Sequence, residues 1–140
     1  MTKLARVIIS STYGGLLPAS MARLHPGVVE SFYSIVRDVK AAGGRLLISD
    51  MFRPRRVQAD LKRRKPRLAA ASGKSYHEAG LAFDLSVGQL HLTLDQFRAI
   101  VRRHGWETIS KENWHIQYSY RALGYRTLQA AIKDVDNWAG

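Results

Sequence analysis

Three residues in the sequence carry side chains that could together bind a metal ion. Asp84 lies within the apolar run LAFDLSV, and His115 lies within NWHIQY. An unpaired carboxylate buried in such a run is costly, so a cation must lie beside Asp84. His77, seven positions earlier, completes a set of two imidazoles and one carboxylate. That is the ligand number of a catalytic zinc site, with one position left for water.

Glu112 precedes His115 by three residues and could be the general base at such a site. Spacing alone leaves a second interpretation open, in which Asp84 pairs with an arginine and both histidines are merely packed. Several other classes of protein are excluded because the residues they require are missing. The chain has no cysteine, no Gly-x-Ser-x-Gly elbow and no glycine-rich phosphate loop. His77 and Asp84 are also not two residues apart, as they would be in an iron oxygenase triad.

Hydrophobic periodicity predicts the elements that position these residues. The predicted helices follow Pro26, cover Arg55–Lys65, run from Thr93 to Gly105 and begin again near Thr127. The predicted strands cover Leu46–Phe52, Leu81–Val87, Trp106–Ile109 and Asn113–Tyr118, and a loop covers Pro66–Tyr76. We expect one α+β domain over residues 1–140, with an antiparallel sheet and flanking helices. Trp106 and Trp114 are expected in its core.

Three strings resemble the signatures of the zinc D-alanyl-D-alanine carboxypeptidase family (VanX/VanY-like), which includes phage L-alanyl-D-glutamate endopeptidases. SYHEAGLAFD at 75–84 resembles the S-x-H-x-x-G-x-A-x-D signature, and ENWH at 112–115 resembles E-x-W-H. SDMFRP at 49–54 is similar to the family's strand that ends in an arginine, followed by a helix with a glutamine, here Gln58. The order and spacing agree over about residues 24–120. The resemblance implies a hedgehog/D-Ala-D-Ala peptidase-like fold.

The resemblance also implies a role for each matching residue. His77, Asp84 and His115 would bind one zinc ion per chain. Glu112 would be the general base, and Arg53 would stabilise the oxyanion or anchor the substrate. The supporting or substrate-binding positions would be Ser75, Gln58 and Tyr76.

The charge of the chain indicates a polyanionic partner. Lys and Arg number 22 against 11 acids, which gives a net charge of +11. We expect the basic segment 55–67 to flank the site and to bind an anionic cell-wall polymer, with nucleic acid an unlikely partner. No run approaches the roughly 18 apolar residues of a membrane span, and polar residues interrupt any signal-peptide core. We therefore expect the protein to be made in the cytoplasm and to act on the cell wall, in the manner of a phage lysin. We also expect a monomer.

Together the residues and the resemblance predict a zinc metallopeptidase that hydrolyses a peptide bond in peptidoglycan stem peptides. The bond would be either D-Ala-D-Ala or L-Ala-D-Glu. The short connection between Val87 and Leu94 suits an open cleft and a cross-linked substrate, as for an endolysin. The alternative is a non-catalytic domain on the same scaffold that binds cell wall or nucleic acid. Glu112 argues against it, because a binding domain has no need of a general base.

Overall fold

The computed structural model describes residues 2–8, 17–67 and 74–139, with side chains described up to residue 135. This part of the chain contains six strands and four α-helices. In chain order they are β1 (Ala5–Arg6), β2 (Arg23–Leu24), α1 (Val29–Ala41), β3 (Ile48–Asp50), α2 (Arg55–Arg64), β4 (Ala82–Leu85), α3 (Leu94–Arg103), β5 (Trp106–Ile109), β6 (Glu112–Tyr118) and α4 (Leu128–Ala139). Among these helices, none is both long enough and apolar enough to cross a membrane.

Strands β3 to β6 form an antiparallel sheet in the order β3-β4-β6-β5. Strands β1 and β2 pair separately as a two-stranded antiparallel sheet. The helices flank these sheets, which confirms the predicted α+β class with an antiparallel sheet. The site-bearing strands β4 and β6 lie in the middle of the larger sheet, where each is hydrogen-bonded on both edges.

The hydrophobic core covers one face of the larger sheet. Phe83 of β4 and Ile116 of β6 are register partners, and both are buried. The ring of Phe83 meets Phe32 of α1 and Trp106 of β5 edge to face, at centroid distances of 5.1 and 5.2 Å. Side chains alternate between the two faces of a strand, so the residue after Phe83 points away from this core. That residue is Asp84.

Strand β3 is shorter than the predicted Leu46–Phe52 strand. The backbone N–H of Phe52 donates to the Met21 carbonyl, and that of Arg53 donates to the His77 carbonyl. These bonds take the chain out of the sheet directly after Asp50. The predicted strand was therefore right in place but too long.

The predicted loop over Pro66–Tyr76 is also too long. Tyr76 already belongs to a 3₁₀ helix, Tyr76–Ala79, which we call the His77 turn. Residues 68–73 of the predicted loop lie outside the described part of the chain. The turn begins at Ser75 because its side chain caps the free backbone N–H groups there.

Gly80 joins the His77 turn to β4 in a conformation that favours glycine. Its φ is +68°, in the left-handed region. A Cβ atom at this position would lie 2.7 Å from both the backbone nitrogen of His25 and Cδ2 of Leu4. Only the absence of a side chain lets these segments approach the turn.

We expect Gly80→Ala to lower the free energy of unfolding, by at least about 1–2 kcal/mol for the left-handed backbone alone. The contacts at 2.7 Å add to this cost. Urea denaturation would measure the loss. Gly88→Ala is the matched control, because a Cβ there meets no atom within 4 Å and its φ is not positive. Equal stability of the two variants would contradict the argument.

Candidate metal centre

Three polar side chains lie in a row across neighbouring strands of the larger sheet, on the face opposite the hydrophobic core. Asp84 of β4 is the register partner of Asp50 in β3 and of His115 in β6. Register partners in antiparallel strands share a face of the sheet, so the three side chains meet. His115 Nδ1 lies 2.9 Å from Asp84 Oδ1. Strand pairing therefore unites two of the predicted ligands, which lie far apart in the sequence.

His77 reaches the same carboxylate oxygen from outside the sheet. Ser75 Oγ accepts the His77 N–H, and Glu78 accepts the Ser75 N–H, so a capping box fixes the turn. His77 Nε2 lies 3.1 Å from Asp84 Oδ1. Its Nδ1 donates to the Met51 carbonyl at 2.6 Å. Because a carbonyl only accepts, this bond fixes the hydrogen on Nδ1 and leaves Nε2 to act as a ligand.

His115 is oriented by a residue that the sequence analysis missed. Its Nε2 lies 2.9 Å from Gln117 Oε1, so it is Nδ1 that faces Asp84. With the amide oxygen toward the ring, the hydrogen sits on Nε2 and Nδ1 is left to act as a ligand. Gln117 follows His115 by two residues in a strand, and this period of two was the signal that could have identified it.

The four ring nitrogens of His77 and His115 all face oxygen atoms that can accept a hydrogen bond. A neutral imidazole carries one N–H, so the two nitrogens that face Asp84 require a proton or a metal cation beside the carboxylate. Burial would raise the pKa of Asp84, but the hydrogen bonds from His115 and His77 outweigh it and hold the pKa well below its usual range. Burial would lower the pKa of His115, but the hydrogen bond and charge of Asp84 outweigh it and raise that pKa. The space between Asp84 and the two histidines therefore favours a positive charge, either a proton or a metal cation.

The donor set fits a zinc ion. One ligand atom each from His77, Asp84 and His115 lies within 4.8 Å of the other two, the one such group among the described residues. Ligands at the corners of a tetrahedron with bonds near 2.0–2.1 Å are about 3.3 Å apart. The separations from Asp84 Oδ1 are 2.9 and 3.1 Å, so shifts of a few tenths of an ångström would accommodate the ion.

Arg53 neutralises the charge of Asp50, the second carboxylate of the row. Its Nε and Nη2 contact Asp50 Oδ2 at 2.7 and 2.5 Å, and Nη2 lies 3.6 Å from Asp84 Oδ2. Its Nη1 donates to Gln58 Oε1 at 2.7 Å, and Gln58 is buried. The guanidinium therefore faces one oxygen of Asp84 while the two histidines face the other. Gln58 and Asp50 hold Arg53 in this position.

A cleft of about 460 Å³ lies over these residues. That volume is within the range of sites that hold small molecules, about 300–1,000 Å³. One wall is a single face of α2 and its C-terminal end, which contributes Gln58, Leu61 and Lys65. Ser75 and Tyr76, both predicted to support the site, also line the cleft.

Glu112 reaches the cleft through an irregularity in the sheet. Thr108 pairs with Ile116, but the next residue of β5, Ile109, pairs with Glu112. Uninterrupted alternation would place Glu112 on the core side together with Ile116. The bulge instead turns its side chain to the cleft, a common use of bulges beside active sites. There its carboxylate is close enough to act electrostatically on His115.

Trp114 lies in the cleft and not in the core, so the expectation of a core residue was wrong. Its side chain is 44% exposed and lines the cleft beside His115. Trp106 is buried, as predicted. The physical reason for the difference is the bulge, because Trp114 falls among the residues of β6 that have no register partner in β5.

The fold and the site define a small α+β domain with a His-Asp-His centre at the base of an open cleft. No protein-family model and no curated protein matches the chain. Among the solved structures that share its fold are two with 18% sequence identity to it. One is the LD-carboxypeptidase LdcB, described for peptidoglycan recognition, with a TM-score of 0.63 over 92% of this chain and 77% of LdcB. The other is a mutant of the vancomycin-resistance D,D-pentapeptidase VanY in complex with Zn(II), with a TM-score of 0.60 over 91% of this chain and 83% of VanY.

We expect Gln117→Ala to weaken zinc binding by about 10- to 100-fold, the usual effect of removing a group that orients a metal-binding histidine. The reason is that His115 loses the partner that fixes its ring. Competition with a fluorescent zinc chelator would measure the change. Gln89→Ala, which alters a glutamine away from the cleft, should bind zinc like the parent. Unchanged affinity in Gln117→Ala would mean that the strand alone positions His115.

Proposed function

We propose that the chain is a zinc metallopeptidase that hydrolyses a peptide bond in peptidoglycan stem peptides. The observation that carries the proposal is the convergence of one atom each from His77, Asp84 and His115 beneath a cleft that also contains Glu112. The fold shared with an LD-carboxypeptidase and with a Zn(II)-bound D,D-pentapeptidase supports it. The bond cut would be D-Ala-D-Ala or L-Ala-D-Glu, as the sequence resemblance implies.

The residues of the cleft would divide the chemistry among them. His77, Asp84 and His115 would hold one zinc ion, which when bound lowers the pKa of water and polarises a carbonyl group. Glu112 would accept the proton of the attacking water and return it to the leaving nitrogen. Arg53 lines the same cleft and would stabilise the negative charge that develops on the carbonyl oxygen.

Of the remaining predicted residues, Gln58 and Ser75 would act through these groups and Tyr76 would line the cleft. Gln58 contacts Arg53 and would keep its guanidinium in place. Ser75 caps the His77 turn and would fix the first ligand. Tyr76 packs on Tyr120, at a centroid distance of 5.9 Å, and would form part of the substrate wall.

The outer side of α2 and the residues that follow it form a basic surface that would bind an anionic cell-wall polymer. Segment 55–67 contains seven cationic residues and one acid, Asp60. Arg63 and Arg64 both pair with that acid and remain mostly exposed. Exposed charges attract polyanions and are screened by salt. Binding here would bring the enzyme to its substrate at the cell wall, as an endolysin acts.

Mass spectrometry of purified cell wall digested with the zinc-loaded protein tests this function. New peptide termini are expected, they identify the bond, and a chelator should prevent them. Raised salt should slow the digestion of whole wall more than that of a short stem peptide, because the basic surface contacts the polymer. Wall binding without new termini would instead support the non-catalytic alternative, and salt-dependent binding to nucleic acid would identify a different partner.

A further inference from the structure

The charged side chains of the cleft are not equally engaged with one another. The described residues that line it include three acids, Asp50, Asp84 and Glu112, beside the cations Arg53, Lys65 and Lys74. Arg53 is committed to two of these acids at distances of 2.5 to 3.6 Å. The charge of Arg53 is thus partly neutralised, and what it retains is assigned above to the developing oxyanion, so a substrate carboxylate would need another cation.

Lys65 is directed to the cleft by its place at the end of α2. It follows Gln58 and Leu61 at helical spacing, and all three line the cleft. Asp60, the one acid of α2, is engaged by Arg63 and Arg64. No described carboxylate forms an ion pair with Lys65, which is exposed to solvent.

Lys74 is the second such cation. It is exposed, lines the cleft and directly precedes Ser75, the residue that caps the His77 turn. Among the described residues, no carboxylate pairs with its amine either. Two lysines that have no acidic partner among the described residues therefore line the cleft over the candidate metal centre.

We propose that Lys65 and Lys74 bind a free carboxylate of the substrate, so that the cleft selects anionic peptides over their amidated counterparts. This inference rests on the proposed peptidase function and names the class of peptide that the site prefers. A lysine ammonium is a compact charge on a flexible side chain, so it can adjust its position to contact a carboxylate. The carboxylate is either the C-terminal one or that of an acidic residue beside the scissile bond.

The test uses three forms of the synthetic stem peptide L-Ala-D-Glu-L-Lys-D-Ala-D-Ala: the free acid, the form with its glutamate carboxyl amidated, and the C-terminal amide. Lys65→Gln/Lys74→Gln should raise KM for the free acid by about 2- to 30-fold, the range for two partly exposed ion pairs. The kcat value should stay near that of the parent. Amidation of the carboxylate that the lysines bind should remove the difference in KM between parent and variant. The amidated peptide for which both proteins have the same KM therefore identifies that carboxylate.

Lys40→Gln/Lys133→Gln is the matched control, because it makes the same two changes at exposed lysines that neither line the cleft nor belong to the basic surface. An equal rise in KM in this control, or a parent that does not distinguish the free acid from either amide, would overturn the proposal. Calorimetric binding of the three peptides to Glu112→Gln protein gives the same comparison without turnover. Discrimination in binding with no turnover by the zinc-loaded parent would count against the peptidase function and in favour of the lysines.

Discussion

Glu112→Gln should lose most peptidase activity while keeping its zinc and its fold. The amide has nearly the shape of the carboxylate but cannot accept a proton from water, and loss of a general base lowers kcat by about 10²- to 10⁴-fold. Glu112 lines the cleft and does not belong to the group of three converging ligand atoms. Turnover of a stem peptide, measured beside zinc content, would separate the catalytic role from metal binding.

Glu107→Gln is the control for that experiment. Glu107 is an exposed glutamate of the neighbouring strand β5 that does not line the cleft, and its amide variant should retain full activity. If Glu112→Gln turned over substrate like the parent, the base would have to be another group. Glu78 would be a poor substitute, because its carboxylate is buried and accepts the backbone N–H of Ser75.

Removal of any one ligand should abolish stable zinc binding and activity together. His77→Ala, Asp84→Ala and His115→Ala each leave two of the three ligands of a catalytic site. Because the loss of an orienting group alone costs about 10- to 100-fold in affinity, the loss of a ligand should exceed about 100-fold. Plasma mass spectrometry after dialysis would measure zinc, with about one ion per chain expected for the parent.

His91→Asn controls for the removal of a histidine. His91 is exposed and has a φ of +59°, which asparagine tolerates well. This variant should keep its zinc, and circular dichroism should show all four variants folded. Full zinc occupancy in folded His77→Ala, Asp84→Ala and His115→Ala proteins would rule out the proposed centre.

Two of the three proposed ligand residues could be predicted from the sequence because each breaks a local pattern. A carboxylate in LAFDLSV and an imidazole in NWHIQY are polar residues in apolar strands, and His77, seven positions before Asp84, completes the set and also matches the motif. The helices could also be predicted from the sequence, because caps and periodicity are local signals. The Thr93–Gln96 capping box forms as expected. Local signals therefore identified both the main elements and the residues that converge.

The partners of these residues could not be predicted, because they depend on strand register. Asp50 meets Asp84 through the pairing of β3 with β4, and no spacing in the sequence encodes that pairing. The same holds for the bulge that turns Glu112 to the cleft and leaves Trp114 exposed. A strict period of two assigns both residues to the core side, which is why Trp114 was misplaced.

The helical wall of the cleft and its floor, which the sheet forms, can change in sequence independently of each other. The floor, with Asp84 and His115, is fixed by hydrogen bonds on both edges of two central strands, and few substitutions there would be tolerated. The wall is one face of α2 and its end, where Gln58 is linked to the floor through Arg53. Neither Leu61 nor Lys65 belongs to the group of His77, Asp84 and His115. Under the proposed function, relatives or engineered variants that differ at these two positions would acquire new peptide preferences and keep the same reaction chemistry.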